Sequence, residues 1–361
     1  MTTAPTTPRI RAVTRHRLFW PAAVLAVLLL ANLAFTSDFF ALHLKGGHLY
    51  GSTIDILHFG APLILVSLGM TLVIATGGID LSVGSTVAIA GALACLHISE
   101  ATDPGSLGTV LGAVGIALGT AVLLGIANGV LVARVGVQPI IATLILMVAG
   151  RGVAQLITDG QIITITSGPY RLIGGGYWLA MPFAILLGGL VAVLTALLTR
   201  STALGLLLES VGGNPAASRL VGIRAIRLVG LVYVFSALCS AVAGLMVSSN
   251  VSAADGNNAG LWIELDAVLA VVIGGTSLNG GRFSIGGTVL GALIIQTLST
   301  TVYTMGIPPE TTLVFKAFVV ITVCLVQSPK FRAGLVRYGA GRRSGARPNP
   351  ATATTNREVG A

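Results

Sequence analysis

The sequence predicts an all-α, polytopic membrane protein with about ten transmembrane helices, and three observations carry that prediction. Of 361 residues, 54% are hydrophobic and only 9% charged, whereas a soluble domain carries about a quarter charged residues. Glycine is abundant, at 47 residues, which suits closely packed membrane helices. Apolar runs of the ~20 residues needed to cross a bilayer core recur from end to end.

Residues 1–17 form a cytoplasmic tail containing Arg9, Arg11, Arg15 and Arg17. A basic stretch before an apolar run resembles a secretory signal. The run from Leu18 to Phe35 is long for a signal core, lacks a small-x-small cleavage site and precedes many further spans, so it reads as a first membrane helix. The candidate spans are 18–36, 54–76, 82–99, 107–133, 138–158, 178–199, 228–249, 263–279, 284–305 and 311–328. The eighth is short enough to be re-entrant. The transmembrane domain thus covers 18–328, with a cytoplasmic loop at 200–227, and 329–361 is a cytoplasmic C-terminal tail of disordered composition.

Basic residues of membrane proteins concentrate in the cytoplasm. With the N-terminus inside and ten crossings, 17 of the 21 Lys and Arg residues fall on the cytoplasmic side. The outside receives Lys45 and Arg171, and Arg151 and Lys316 fall within spans. Both termini are therefore expected in the cytoplasm. The net charge of +9 sits in tails and short loops, so it forms no continuous patch for nucleic acid.

Residues 77–86, Gly-Gly-Ile-Asp-Leu-Ser-Val-Gly-Ser-Thr, place Asp80 between two long apolar runs. An ionisable group there is costly unless it reaches water, an interface or a partner. Ser82–Val87 also has an echo in Ser284–Val289, each following a Gly-Gly pair, at 77–78 and 274–275. A two-half internal repeat is a common transporter plan, and chance similarity in a Gly/Ser/Val-rich chain is the competing account.

No Gly-x-x-x-x-Gly-Lys-Ser/Thr phosphate loop occurs, because none of Lys45, Lys316 and Lys330 follows a glycine. The histidines and the lone cysteines Cys95, Cys239 and Cys324 have no metal-ligand spacing. No nucleophile elbow stands out. No catalytic residue, metal or cofactor is therefore expected on this chain, and a membrane enzyme is poorly supported.

In the 200–227 loop, Asn214-Pro215 can start a short helix, with Asn as cap and Pro at the first position. Ala216–Val221 would follow, and Gly222 can end it. A short helix with an apolar face suits a groove on another protein.

Four blocks now carry a family resemblance: Gly69–Gly84, Gln138–Leu144, Val211–Ile223 and Ile273–Gly281. Together they resemble the permease subunit of ATP-binding-cassette (ABC) importers for monosaccharides of the ribose, galactose and galactofuranose group. The stretch 138–161 looks closest to the galactofuranose permeases. The resemblance implies a bacterial cytoplasmic (inner) membrane location and inward sugar transport. It implies a partner ATPase dimer that holds ATP and magnesium, a second permease copy or paralogue, and a periplasmic or lipid-anchored sugar-binding protein. The family's ATPase-coupling segment carries over onto Gly212, Gly213, Asn214, Pro215, Ala216, Ala217, Arg219 and Gly222. The family commonly has an acidic residue where Ala217 or Ser218 stands here.

Polar groups inside the membrane are candidates for a sugar path. These are Asp80, Ser82, Asn128, Gln138, Thr143, Arg151, Gln155 and Gln296. Interhelical hydrogen bonding is the alternative role for each. Arg151 needs a cavity, a carboxylate or the headgroups, and Glu264 and Asp266 could pair with it or with Arg171. The outer loop holding Asn257 and Asn258 could touch the binding protein. A secondary transporter of sugars or other small solutes is the competing function. It would need coupling-ion carboxylates at mid-membrane, and most acids here fall near span ends or in loops.

Overall fold

The computed structural model describes residues 18–35, 39–306, 308 and 311–327. Both predicted tails, 1–17 and 329–361, therefore lie outside the described residues. The described chain is mostly helical, in the order α1 (Phe19–Phe35), α2 (Ser52–Ala75), α3 (Val83–Ser99), α4 (Leu107–Val130), α5 (Pro139–Ile157), α6 (Gly168–Gly175) and α7 (Phe183–Ser201). There follow α8 (Ala203–Gly213), α9 (Pro215–Leu220), α10 (Ala225–Val251), α11 (Ile263–Ile273), α12 (Ile285–Thr304) and α13 (Thr312–Gln327). A π-helical turn, Leu131–Val135, extends α4 and stops at Gly136, whose φ is +84°.

Among the described residues, six helices are long and apolar enough to cross a membrane: α2, α4 with its π turn, α5, α7, α10 and α12. Helices α1, α3 and α8 are shorter and apolar, as is a stretch of α13. Each of the ten predicted runs contains a helix, but two boundaries are corrected. The run 263–279 is helical only to Ile273, because the chain turns at Gly274-Gly275. At ~1.5 Å per residue, α11 is about 16 Å long, well short of a ~30 Å core. The run 178–199 opens not as helix but as a hairpin, β4 (Tyr177–Trp178) with β5 (Met181–Pro182).

The predicted 200–227 loop is mostly helical, since α8 precedes the expected short helix and α10 begins at Ala225. The fold is also not purely helical. The hairpin β1 (His43–Lys45) with β2 (His48–Tyr50), and the pair β3 (Ile162–Thr164) with β6 (Ala253–Asp255), are antiparallel. These pairs tie the polar stretches 159–177 and 250–262 to one end of the bundle. The Leu49 amide joins the β1–β2 hairpin to the β4–β5 hairpin through the Ala180 carbonyl at 2.9 Å.

Burial sorts the helices. Of the most apolar window of α2, 78% is buried, against 22% for α5 and for α7. Helix α2 is thus a core element, while α5 and α7 present apolar faces outward, as lipid contact requires. Helix α10 packs against α2, α3, α4 and α6. Small residues permit this: a Cβ on Gly69 would lie 2.7 Å from Ser236 Cα, and one on Gly125 2.6 Å from Val234 Cα. Backbones approach this closely only where side chains vanish.

The ends of α2 and α11 share one turn geometry. The Gly78 amide donates to the Val73 carbonyl and Thr276 to Val271, while Gly77 donates to Ile74 and Gly275 to Val272. Gly77 and Gly275 each have φ +85°, a left-handed stop that glycine adopts without penalty. The helices that follow start differently. Ser284 caps α12 by accepting from the Gly287 amide at 3.1 Å, whereas Ser82 makes no such cap because its hydroxyl is committed elsewhere.

Candidate functional site

The Ser82 hydroxyl donates to Asp80 Oδ1 at 2.6 Å, and the Ser82 amide donates to the same oxygen at 3.1 Å. Oδ2 accepts from the Ser236 hydroxyl of α10 at 2.8 Å. Asn128 Nδ2 of α4 donates to Ser82 Oγ at 2.8 Å. Thr143 Oγ1 of α5 reaches the Ile79 carbonyl at 3.1 Å. Asp80 is 1% exposed. Three of these hydrogen bonds end on the carboxylate, which is how a buried acid is held without a cation. The predicted path residues Asp80, Ser82, Asn128 and Thr143 therefore converge, but on a closed clamp that joins α2, α3, α4, α5 and α10.

The clamp abuts the predicted coupling segment. A cavity of about 130 Å³ lies between them, lined by Gly77, Gly78, Val211, Pro215, Arg219 and Tyr233 among others. A Cβ on Gly78 would sit 2.8 Å from the Tyr233 hydroxyl. Helix α9 has the expected form, with Asn214 Oδ1 accepting from the Ala217 amide at 2.9 Å and Pro215 in the first turn. Gly222, with φ +85°, follows its end. Ala216, Ala217 and Arg219 are exposed, and Leu220 and Val221 are 90% and 76% exposed. Ser218 is buried.

Gly212 and Gly213 end α8 and differ sharply. A Cβ on Gly212 would collide with the Ala75 carbonyl, whereas Gly213 has open space around it. The Gly281 amide donates to that same Ala75 carbonyl at 2.9 Å. Three chain segments thus meet at the end of α2, a junction that sequence spacing alone did not reveal.

The other predicted path residues lie elsewhere. Arg151 donates to the Ala259 carbonyl, Gln155 is exposed, and Gln138 is the N-cap residue of α5. Among the described residues, neither expected partner forms an ion-pair contact with Arg151. Asp266 forms an ion pair with Lys316 at 2.7 Å, and Glu264 is buried with Oε2 unbonded among the described residues. Gln296 lines a cavity of about 490 Å³ at the strand-bearing end. Near that end, burial raises the Asp255 carboxyl, but hydrogen bonds from Asn258 and from the Asn257 and Asn258 amides, with Arg151 nearby, hold it below the usual carboxylate range. No group of acids, histidines and cysteines that could hold a metal occurs among the described residues.

Residues 52–324 match the family model described as branched-chain amino acid transport system / permease component. The chain is 50% identical over 324 residues to the galactofuranose transporter permease protein YtfT of Escherichia coli, covering 88% of this chain and 93% of that protein. It is 38% identical over 327 residues to the fructose import permease protein FruF of Bifidobacterium longum, covering 89% and 90%. It is 38% identical over 268 residues to the ribose import permease protein RbsC of Bacillus subtilis, covering 74% and 81%. No solved structure matches the chain.

Proposed function

The chain belongs to the branched-chain amino acid transport system / permease component family and is the permease subunit of an ABC importer, and from that premise we propose that it moves a monosaccharide inward through the cytoplasmic membrane. It is a conduit rather than an enzyme, and its ATPase and substrate-binding protein are separate chains. We assign it ten crossings with both termini in the cytoplasm, the eighth a broken one in which the short helix α11 is continued by the non-helical residues 274–279, an arrangement tolerated where the backbone is enclosed by protein. The matching turns at Gly77 and Gly275 support two related halves.

Galactofuranose or a similar sugar is the proposed cargo, because the galactofuranose permease is 50% identical to this chain while the fructose and ribose permeases above are 38% identical. The observation that carries the coupling mechanism is the seating of α8 and α9 on the end of α2. Leu220, the last residue of α9, and Val221 just after it are both exposed and give an ATPase groove an apolar anchor. Gly212, wedged at the Ala75 carbonyl, passes movement of that anchor to the Gly77–Asp80 turn. The Asp80 clamp then moves α3, α4 and α10 together. A second copy of this chain or a paralogue completes the transporter.

The test is uptake into proteoliposomes holding the permease, its ATPase and its sugar-binding protein. ATP inside should drive accumulation of labelled sugar, and omission of the ATPase should abolish it. Uptake by this chain alone would restore the secondary-transporter reading.

A further inference from the structure

We infer that the cavity at the strand-bearing end is a transient binding site for one uncharged monosaccharide, entered before the sugar passes the membrane. This rests on the import function proposed above and adds to it a place and a set of contacts. The volume, about 490 Å³, falls within the ~300–1,000 Å³ range of small-molecule sites. Its walls come from α2, α6, α7, α10, α11, α12 and the turn before α11, so it is held by packed helices rather than by a single loop.

Its chemistry fits a sugar. His58, Asn250 and Gln296 face it with both donors and acceptors, and Phe59 and Tyr303 add apolar ring surface. The polar groups are only weakly engaged with one another. His58 Nε2 and Asn250 Oδ1 are 3.4 Å apart, and Gln296 Nε2 is 3.4 Å from Thr300 Oγ1. Both lie beyond the usual 2.7–3.2 Å range, so hydroxyls of a ligand can replace them with little loss.

Charge narrows the ligand class. Asp266 is the one acid on the wall, and the Lys316 ammonium at 2.7 Å neutralises it. A zwitterionic amino acid asks for an unpaired carboxylate and an unpaired cation together, and this wall presents neither. Dispersed, weak hydrogen bonds also suit a conduit, because a transported solute must leave as well as enter.

The test uses the assembled transporter in proteoliposomes, with Cys95, Cys239 and Cys324 replaced by alanine and L261C introduced on the exposed apolar wall. Maleimide labelling at position 261 is timed with and without millimolar ribose, fructose, galactose or leucine. At least one sugar should slow labelling severalfold while leucine leaves it unchanged. In parallel, Gln296→Ala and Asn250→Ala should each lower sugar uptake about fivefold to tenfold, the cost of one lost hydrogen bond. Binding-protein-stimulated ATP hydrolysis should stay within about twofold of wild type, because each change deletes only one weakly engaged side-chain contact. No protection by any sugar, or equal protection by leucine, overturns the site. Full uptake by both alanine variants also overturns it, and then the importer reading stands. Galactose in solution also supplies its furanose ring form, so a wild-type transporter that accumulates none of the three sugars removes the importer reading and this site with it.

Discussion

The carboxylate of Asp80 accepts a hydrogen bond from the hydroxyl of Ser236, 156 positions later in the chain, at 2.8 Å. One oxygen thereby fastens the turn between α2 and α3 to α10, and the other holds Ser82 and, through it, Asn128 of α4. Deleting the carboxylate leaves buried donors without an acceptor, at about 1–3 kcal/mol each. Asp80→Ala should therefore lower the melting temperature of the purified permease and abolish uptake. Asp80→Asn keeps Oδ1, and the Ser236 hydroxyl can reverse its role, so its loss of stability should be smaller. Equal melting temperatures for Asp80→Ala and wild type would show that the clamp contributes nothing.

A second prediction concerns sidedness. Ser218 is buried, so a cysteine there would label slowly on either side of a membrane. Leu220, at 90% exposed, is the informative position. L220C should react with a membrane-permeant maleimide and resist an impermeant one applied from outside, and D103C should react with both. Rapid labelling of L220C from outside would reverse the proposed topology.

The Asp255 turn carries a pH dependence. Its carboxylate accepts from the Asn257 and Asn258 amides at 2.9 and 3.2 Å and from Asn258 Nδ2 at 2.7 Å. These contacts outweigh partial burial and hold its pKa below the usual value. A lowered folded-state pKa means that the stabilisation is complete above the ordinary carboxylate value and disappears as pH falls through the lowered one. Amide exchange at Asn257 and Asn258, corrected for intrinsic rates, should accelerate only in acid. Asp255→Asn should remove that dependence.

Much of this was legible in the sequence, for identifiable reasons. Apolar runs and the placement of Arg and Lys report directly on bilayer solvation, so helices occur in all ten runs. Asn214-Pro215 and Gly222 encode a cap and a stop in local backbone chemistry, and α9 has both. Asp80 was conspicuous because an isolated carboxylate between apolar runs needs partners. Which partners it has was not legible, since Ser236 is one of many small polar residues and only packing selects it. Lys316 likewise takes Asp266, a pairing that Arg151 and Arg171 appeared equally able to make from spacing alone. The eighth run reads as short in the sequence; what was not legible is that its helix stops at Ile273, an end set by the left-handed turn at Gly275.

The coupling mechanism makes its sharpest prediction at two adjacent glycines. Gly212 and Gly213 are both candidates by sequence, and both lie in the last turn of α8. Only Gly212 is backbone-packed: its missing side chain leaves room for the Ala75 carbonyl, which also accepts from the Gly281 amide at 2.9 Å. Gly212→Ala must push α8 away from α2 or break that hydrogen bond, so it should uncouple the transporter. Sugar uptake should fall more than tenfold, while the protein still inserts in the membrane and still copurifies with its ATPase through α9. Gly213→Ala meets open space and removes a helix-disfavouring residue, a change worth up to ~1 kcal/mol in a helix interior and less at its end. Its uptake should match wild type. Asn214→Leu removes the cap bonded to the Ala217 amide, costing about 0.5–2 kcal/mol of helix stability, and should give an intermediate loss. Binding-protein-stimulated ATP hydrolysis separates the steps, because a permease that docks but cannot transmit leaves the ATPase bound and unstimulated. If Gly212→Ala transports as well as Gly213→Ala, movement does not pass through the end of α2 and α9 is only a surface helix.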